Sequence, residues 1–211
     1  MKPYKQRAGV SIKRPVIERI EGIHPYKMIS YLLISVTCLL YSFICFLFIK
    51  HLAIELEGAY AFELPKFFTV SSLLLLSSVY FTSRVLSAYK NDDILKLRRL
   101  LSYTIVAGLL FAVSQTIAWI ELLSEEMDFE KNLILTYLYT FSGVHLAYVM
   151  IGMIMSVILF YRYMLIENDP VKTLIVTTNP TERVKLEIYR IFWNFNALSW
   201  TLIFLMLHFI F

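Results

Sequence analysis

One histidine interrupts a long apolar run. In "FSGVHLAYVMIGM", residues 141–153, His145 stands among Phe, Val, Leu, Tyr, Met and Ile. An ionisable side chain inside a membrane span is a functional candidate by default. Imidazole can ligate haem or a metal, relay a proton, or join two helices by hydrogen bonds. Haem in a bundle needs axial His or Met placed for ligation, and copper or zinc needs clustered His or Cys. The apolar runs hold one further histidine, His208, on another segment near its far end. One histidine per segment, at different depths, does not make a bis-histidine haem site. Met150, Met153 and Met155 lie on the same run as His145 and read as packing residues. Cys38 and Cys45 are seven positions apart, about 10 Å of helical rise, which is too far for a disulfide. They read as small apolar packing residues. Haem-attachment CxxCH, phosphate loops, nucleophile elbows and catalytic dyads are absent from the sequence. A proton relay needs successive groups that take and pass a proton. Ser142 and Tyr148 flank His145, and neither hydroxyl extends such a chain at neutral pH. His145 is therefore predicted to hold a hydrogen bond between helices.

The elements that must position it are membrane spans. Of 211 residues, 58% are hydrophobic and 17% charged, and the mean hydropathy is +0.65, whereas a soluble domain is about half apolar and about a quarter charged. A helix needs about 20 apolar residues to cross a bilayer. Five stretches are free of Asp, Glu, Lys and Arg: Met28–Ile49, Phe67–Ser83, Leu100–Ile120, Asn132–Tyr161 and Ile191–Phe211. The second extends to about residue 88 if Arg84 snorkels to the interface. The fourth, at 30 residues, should tilt or protrude. The predicted fold is an all-α bundle of five transmembrane helices, with spans at about 28–49, 67–88, 100–120, 132–161 and 191–211. It forms a single domain over residues 28–211, preceded by a basic segment, residues 1–27. The first apolar run is too long for the h-region of a cleavable signal peptide.

Loop charge predicts the orientation. Residues 1–27, 84–99 and 162–190 carry 17 of the 20 Lys and Arg side chains, and the positive-inside rule assigns such loops to the cytoplasm. The N-terminus is then cytoplasmic and Phe211 periplasmic. The pI of 9.0 follows from this asymmetry and requires no nucleic-acid partner. The stretch Glu121–Glu130 carries five acids and reads as a solvated outer loop, or as a dock for a basic partner such as a soluble cytochrome. No span contains a proline or a charge, whereas a transporter shows broken helices and polar groups at the midplane. Transport or catalysis by this chain alone is not expected. What remains are lightly polar helix faces: Ser71, Ser72, Ser77 and Ser78, then Gly108 and Gln115, then Gly143 and Gly152. Small residues let helices approach closely and polar ones bond across them.

These motifs resemble subunit III of the haem–copper terminal oxidases. A family span reading Gly-x-x-Phe-x-x-x-Gln-x-x-Glu-aromatic is matched by Gly108, Phe111, Gln115, Ala118 and Trp119. Ser142, Gly143, His145, Tyr148, Val149 and Gly152 match the span with Thr/Ser-Gly-x-His-x-x-His-Val-x-x-Gly. "FWNFNALSW", residues 192–200, resembles the opening of the final span and supplies Trp193 and Trp200. "ELPKFFTVSSLLLLSSV" resembles the serine-rich helix, and "IHPYKM" is similar to the lead-in of the first helix in Bacteroidetes-type members. The match runs over residues 23–211 in order. It departs at Ala118 for Glu, Tyr148 for the second His, Asn194 for His and Ala197 for Asp, and the first span lacks a Ser-Glu pair. Many members have seven helices; five-helix versions accompany quinol oxidases and nitric oxide reductases.

The resemblance implies an accessory, non-catalytic subunit of a bacterial cytochrome c oxidase in the inner membrane, serving aerobic respiratory electron transport. It implies no cofactor in this chain, with haem and copper in the partner subunits. The partners it implies are subunit I, subunit II, membrane phospholipid and a respiratory supercomplex. Gly108, Gln115, Trp119, Gly143, His145, Gly152, Trp193 and Trp200 become the candidate structural or lipid-contact residues. The same fold fits the accessory subunit of a nitric oxide reductase or quinol oxidase, and a small membrane transporter is the reading from another class.

Overall fold

A computed structural model describes residues 24–55, 64–124 and 133–210. Six helices follow in order: α1 (Pro25–Glu55), α2 (Lys66–Lys90), α3 (Ile94–Ser124), α4 (Leu133–Ile166), α5 (Pro170–Thr178) and α6 (Pro180–Ile210). All but α5 are long and apolar enough to cross a membrane, so the five predicted spans stand as helices of an all-α bundle. Each overruns its charge-free stretch, because charged side chains end a hydrophobic run without ending a helix. The helix stops where backbone chemistry stops it. Between α2 and α3 only residues 91–93 intervene. Asp92 takes φ 56°, a left-handed conformation that Asp tolerates better than most residues. The Asp93 carboxylate then accepts the Lys96 amide at 2.9 Å and caps α3.

Helix α5 lies outside the predicted spans and was not expected. Asp169 caps it, accepting the Val171 and Lys172 amides at 3.1 Å each, and Pro170 occupies the first turn, where its missing N–H costs nothing. The Lys172 amide and then its ammonium hold the Asp169 carboxyl below the usual carboxylate range. This capping contribution is therefore complete at neutral pH and fades as pH falls through the lowered value.

Helices α2, α3, α4 and α6 pack as the central group, and α1 lies outside against α4 and α6. The basic ends meet at one end of the bundle. Lys27 of α1 pairs with Glu187 of α6, and Arg98 of α3 pairs with Glu167 beyond α4. Arg162 of α4 grips the Glu182 carboxylate with two bonds of 2.7 Å, and Lys185 adds a third at 2.8 Å. Glu182 is 1% exposed, so this cation set offsets a real desolvation cost. The ties require successive spans to alternate in direction, as the loop charges predict. The segment 1–23, residues 56–63, the acidic stretch from residue 125 to 132 and Phe211 lie outside the described residues, so the docking role considered for Glu121–Glu130 does too, Glu121 apart.

One packing expectation fails. Cys38 is exposed on α1, and only Cys45 is partly buried, with its Sγ 3.9 Å from Met206 Sδ. Of the methionines on α4, Met153 is buried whereas Met150 faces outward.

The glycines report how closely the helices approach. A Cβ on Gly152 would lie 2.9 Å from two ring atoms of Trp193, whereas one on Gly108 would meet the flexible Met153 thioether at 2.9–3.0 Å. Nothing lies within 4 Å of a Cβ on Gly143. Gly152→Ala should lower the thermal unfolding midpoint of the purified chain in detergent, by overpacking worth about 1–3 kcal/mol. Gly108→Ala should cost less. Gly143→Ala should be neutral or stabilising, since alanine gains up to about 1 kcal/mol of helix propensity. Equal midpoints for Gly152→Ala and Gly143→Ala would contradict the packing of Trp193 on Gly152.

Candidate functional site

The serines of α2 are the acceptors of the bundle. Ser71 and Ser72 each donate their hydroxyl to the Phe68 carbonyl at 2.8 Å, and Ser78 donates to the Leu75 carbonyl at 2.5 Å. A hydroxyl has one proton and two lone pairs. With the proton committed to its own helix, each oxygen is left to accept from a neighbour. Ser78 accepts the Trp193 indole N–H at 2.7 Å, Ser72 accepts that of Trp200 at 2.9 Å, and Ser71 accepts the Gln115 amide at 2.8 Å. Ser142 on α4 repeats the device: it donates to the Leu138 carbonyl at 2.7 Å and accepts from Trp119 at 3.0 Å. All three tryptophans of the chain are thus anchored on serine.

These pairs fix helix register. Trp193 and Trp200 are seven residues apart on α6, so they share a face. Their acceptors Ser78 and Ser72 run the opposite way on α2, six residues apart. The two rises, about 10.5 and 9 Å, match closely enough for antiparallel helices to make both bonds. Around Trp193 the walls are Gly108 and Gly152, and Tyr189 bonds Ser156 at 2.8 Å. Around Trp200 the rings of Phe68, Phe111 and His145 gather at centroid distances of 6.1, 5.6 and 4.9 Å.

His145 is fully buried in this second layer, with its ring stacked on Trp200 at 29° and edge-on to Phe111. Its Nδ1 lies 3.5 Å from the Tyr41 hydroxyl of α1, at the long limit of a hydrogen bond. Its Nε2 has no partner among the described residues. The neighbouring Tyr148 hydroxyl accepts from Thr37 at 2.8 Å, again on α1. Asn196 donates to the Tyr148 carbonyl at 3.3 Å. Gln115 Oε1 and Asn196 Oδ1, like His145 Nε2, lack partners among the described residues. Among the described residues the buried polar groups therefore stand as small separate sets between helices and form no continuous chain. Among the described residues no group of three or more His, Cys, Asp or Glu side chains gathers as for a metal. His208 stacks on Phe204 near the far end of α6.

Of the eight candidate residues, seven converge. Gly108, Gly152 and Trp193 form one layer, His145 and Trp200 the next, and Gln115 and Trp119 lie beyond with their serine acceptors. Gly143 stands apart, with open space beside it. Two positions that depart from the resembled motifs are sealed: Ala118 is 0% and Ala197 2% exposed. Asn194 faces outward. Tyr41 and Thr37 were not foreseen as partners, whereas the α2 serines were expected to bond across helices but without their partners named. The serine cluster of α2 and the seven-residue spacing of Trp193 with Trp200 carried the signal. Beside the bundle core, α1 and α6 enclose a largely apolar groove of about 390 Å³ lined by Cys38, Tyr41, Cys45, Leu198, Leu202 and Met206.

A double-mutant cycle tests the lattice. Ser72→Ala strands the buried Trp200 N–H, which costs about 1–3 kcal/mol, and should lower the unfolding midpoint more than His145→Leu does. The Ser72–Trp200 coupling energy, completed with Trp200→Phe, should lie between about 0.6 and 1.7 kcal/mol. Zero coupling would mean that the indole finds another acceptor.

No protein-family model matches the chain. Two bacterial proteins align with most of it. One is the cytochrome c oxidase subunit 3 of Corynebacterium diphtheriae, 25% identical over 154 residues, which cover 73% of this chain and 70% of that protein. The other is the cytochrome bo(3) ubiquinol oxidase subunit 3 of Buchnera aphidicola, 22% identical over 187 residues, covering 89% of this chain and 84% of that protein. With five spans and a polar lattice assembled from the motif positions, the chain is a divergent subunit III-like membrane protein.

Proposed function

We propose that this chain is the accessory, non-catalytic subunit III of a bacterial cytochrome c oxidase, which stabilises the catalytic subunit in the inner membrane. The observation that carries the reading is the alignment of most of the chain with two oxidase subunits 3. Its polar side chains support it. They are used between the helices of the bundle itself, in Ser–Trp, Ser–Gln and Tyr–His pairs, and among the described residues none is arranged as a nucleophile with its base. Haem, copper and the reduction of oxygen then belong to the partner subunits I and II, and this chain contributes to assembly. The apolar groove between α1 and α6 is of a size for part of an acyl chain, which supports a lipid-holding role. By loop charge the N-terminus is cytoplasmic and the C-terminus periplasmic.

A second reading has its own support. The Buchnera relative is a ubiquinol oxidase subunit and covers more of the chain, so the electron donor of the complex is quinol in this version. A nitric oxide reductase partner would use the same bundle. A small transporter is the reading least supported, because the long helices run unbroken.

Affinity purification from native membranes in mild detergent should bring down a haem-containing catalytic subunit with this chain. Deleting the gene should leave an oxidase that reduces oxygen at first but loses activity faster during turnover. Complete and immediate loss of activity, with the haems still in place, would count against an accessory role. Purification of the chain alone, with solute flux in proteoliposomes, would favour transport.

A further inference from the structure

The short helix α5 is amphipathic in the inverted sense. Val171, Leu174 and Ile175, at i, i+3 and i+4, share one face, and all three are exposed, at 67%, 64% and 61%. The opposite face carries Thr173, Val176 and Thr177, all partly buried. Thr173 is tied to α4 through the Ile166 carbonyl at 3.0 Å. A surface helix bathed in water turns its aliphatic side inward and its hydroxyls outward. This one does the reverse, and it is held that way. The Tyr89 hydroxyl of α2 bonds the Val176 and Asn179 carbonyls at 2.9 and 3.0 Å, and the Asp169 cap and Pro170 start the helix in place.

What covers the outer face follows from where the helix starts. The outward stripe of α4 runs Ile151, Ile154, Ile158, Tyr161 and Leu165, all exposed, and is continuous with the surface that a bilayer must cover. Only residues 167–169 separate it from α5, a reach of about 10 Å at most. The apolar face therefore begins at the membrane boundary. The charge around it has one sign in excess. At this end the described residues, 27, 84–99 and 162–190, include eleven Lys or Arg and six Asp or Glu. Lys172 projects from the flank of α5 with 63% of its side chain exposed, its ammonium 3.2 Å from the partly exposed Asp169 carboxylate. A helix with aliphatic side chains on one face and a cation at its flank, at a basic membrane boundary, has the makeup of an interfacial helix.

We propose that α5 lies in the headgroup layer as a membrane-surface anchor, with Val171, Leu174 and Ile175 dipping into the acyl boundary and Lys172 among anionic headgroups. The partner is a lipid surface. The inference needs only that the chain spans a membrane, and stands apart from its assignment to an oxidase.

The test places a spin label on single cysteines in the full chain, with Cys38→Ala and Cys45→Ala, in nanodiscs containing anionic phospholipid and one copy each. Labels at Val171→Cys, Leu174→Cys and Ile175→Cys should be reached severalfold more by oxygen, which partitions into lipid, than by a water-soluble nickel chelate. Asn168→Cys, in the preceding turn, should show the opposite preference. A second measurement uses Leu174→Trp in a background where brominated lipids are introduced; emission from the added indole should be quenched relative to the parent chain. Nickel access at 171, 174 and 175 equal to that at 168, with no added quenching, overturns the proposal. Exclusion of both reagents from these positions also overturns it, because the face is then covered by protein.

Discussion

Everything in this bundle depends on a serine giving its only proton to its own helix. Inside a bilayer no water meets a stranded indole or amide N–H, and each unmet group costs free energy. The α2 serines meet that need only because their hydroxyls already donate to Phe68 and Leu75 one turn back, which leaves lone pairs facing α3 and α6. A serine free to rotate would serve as donor or acceptor and specify neither. Committed in this way, it selects donors, and tryptophan is the bulkiest side chain that offers one donor and no acceptor. The large rings then define the space the glycines must leave, so Gly152 follows from Trp193, and Trp193 from Ser78.

The same economy explains the character of the outside. With its polar atoms turned inward, the bundle shows lipid an aliphatic surface on α1, α3 and α4. Where the resembled family offers carboxylates, Ala118 and Ala197 fill close-packed positions. A carboxylate sealed at either site would carry the desolvation cost of a buried charge.

Much of this was legible in the sequence, for physical reasons. Crossing a bilayer demands length and freedom from charge, so five spans could be counted before any contact was known. The alternation of basic loops required the ends to meet as Lys27, Arg98 and Arg162 do with Glu187, Glu167 and Glu182. The burial of His145 was readable from its isolation in an apolar run, but its neighbour across the helices was not. Finding Tyr41 requires the relative depth of α1 and α4, and this depends on how far each helix overruns its apolar stretch. The indole–serine pairs were half legible: the serine-rich face of α2 and the motif tryptophans were visible, yet their pairing rests on an antiparallel register that only packing decides. Helix α5 was hidden because nine residues are too few for a span. Asp169-Pro170 before it and Pro180 after it were the marks of a helix start and of a break.

The position of α1 sets an order of events during synthesis. It is the first described span to leave the ribosome, yet its contacts are with α4 and α6, 86 to 160 residues later: Thr37 with Tyr148, Tyr41 with His145, His51 with Tyr137 and Lys27 with Glu187. The α2–α3 hairpin closes on neighbours only a few tens of residues away and carries the densest packing. Contacts of short loop length form earlier because less chain entropy opposes them. The first helix made is then the last to be seated. Until α4 and α6 arrive, Thr37 has only the Leu33 carbonyl of its own helix and the Tyr41 hydroxyl lacks its later partner, so α1 remains open to exchange with any other helix that offers a partner at the same depth.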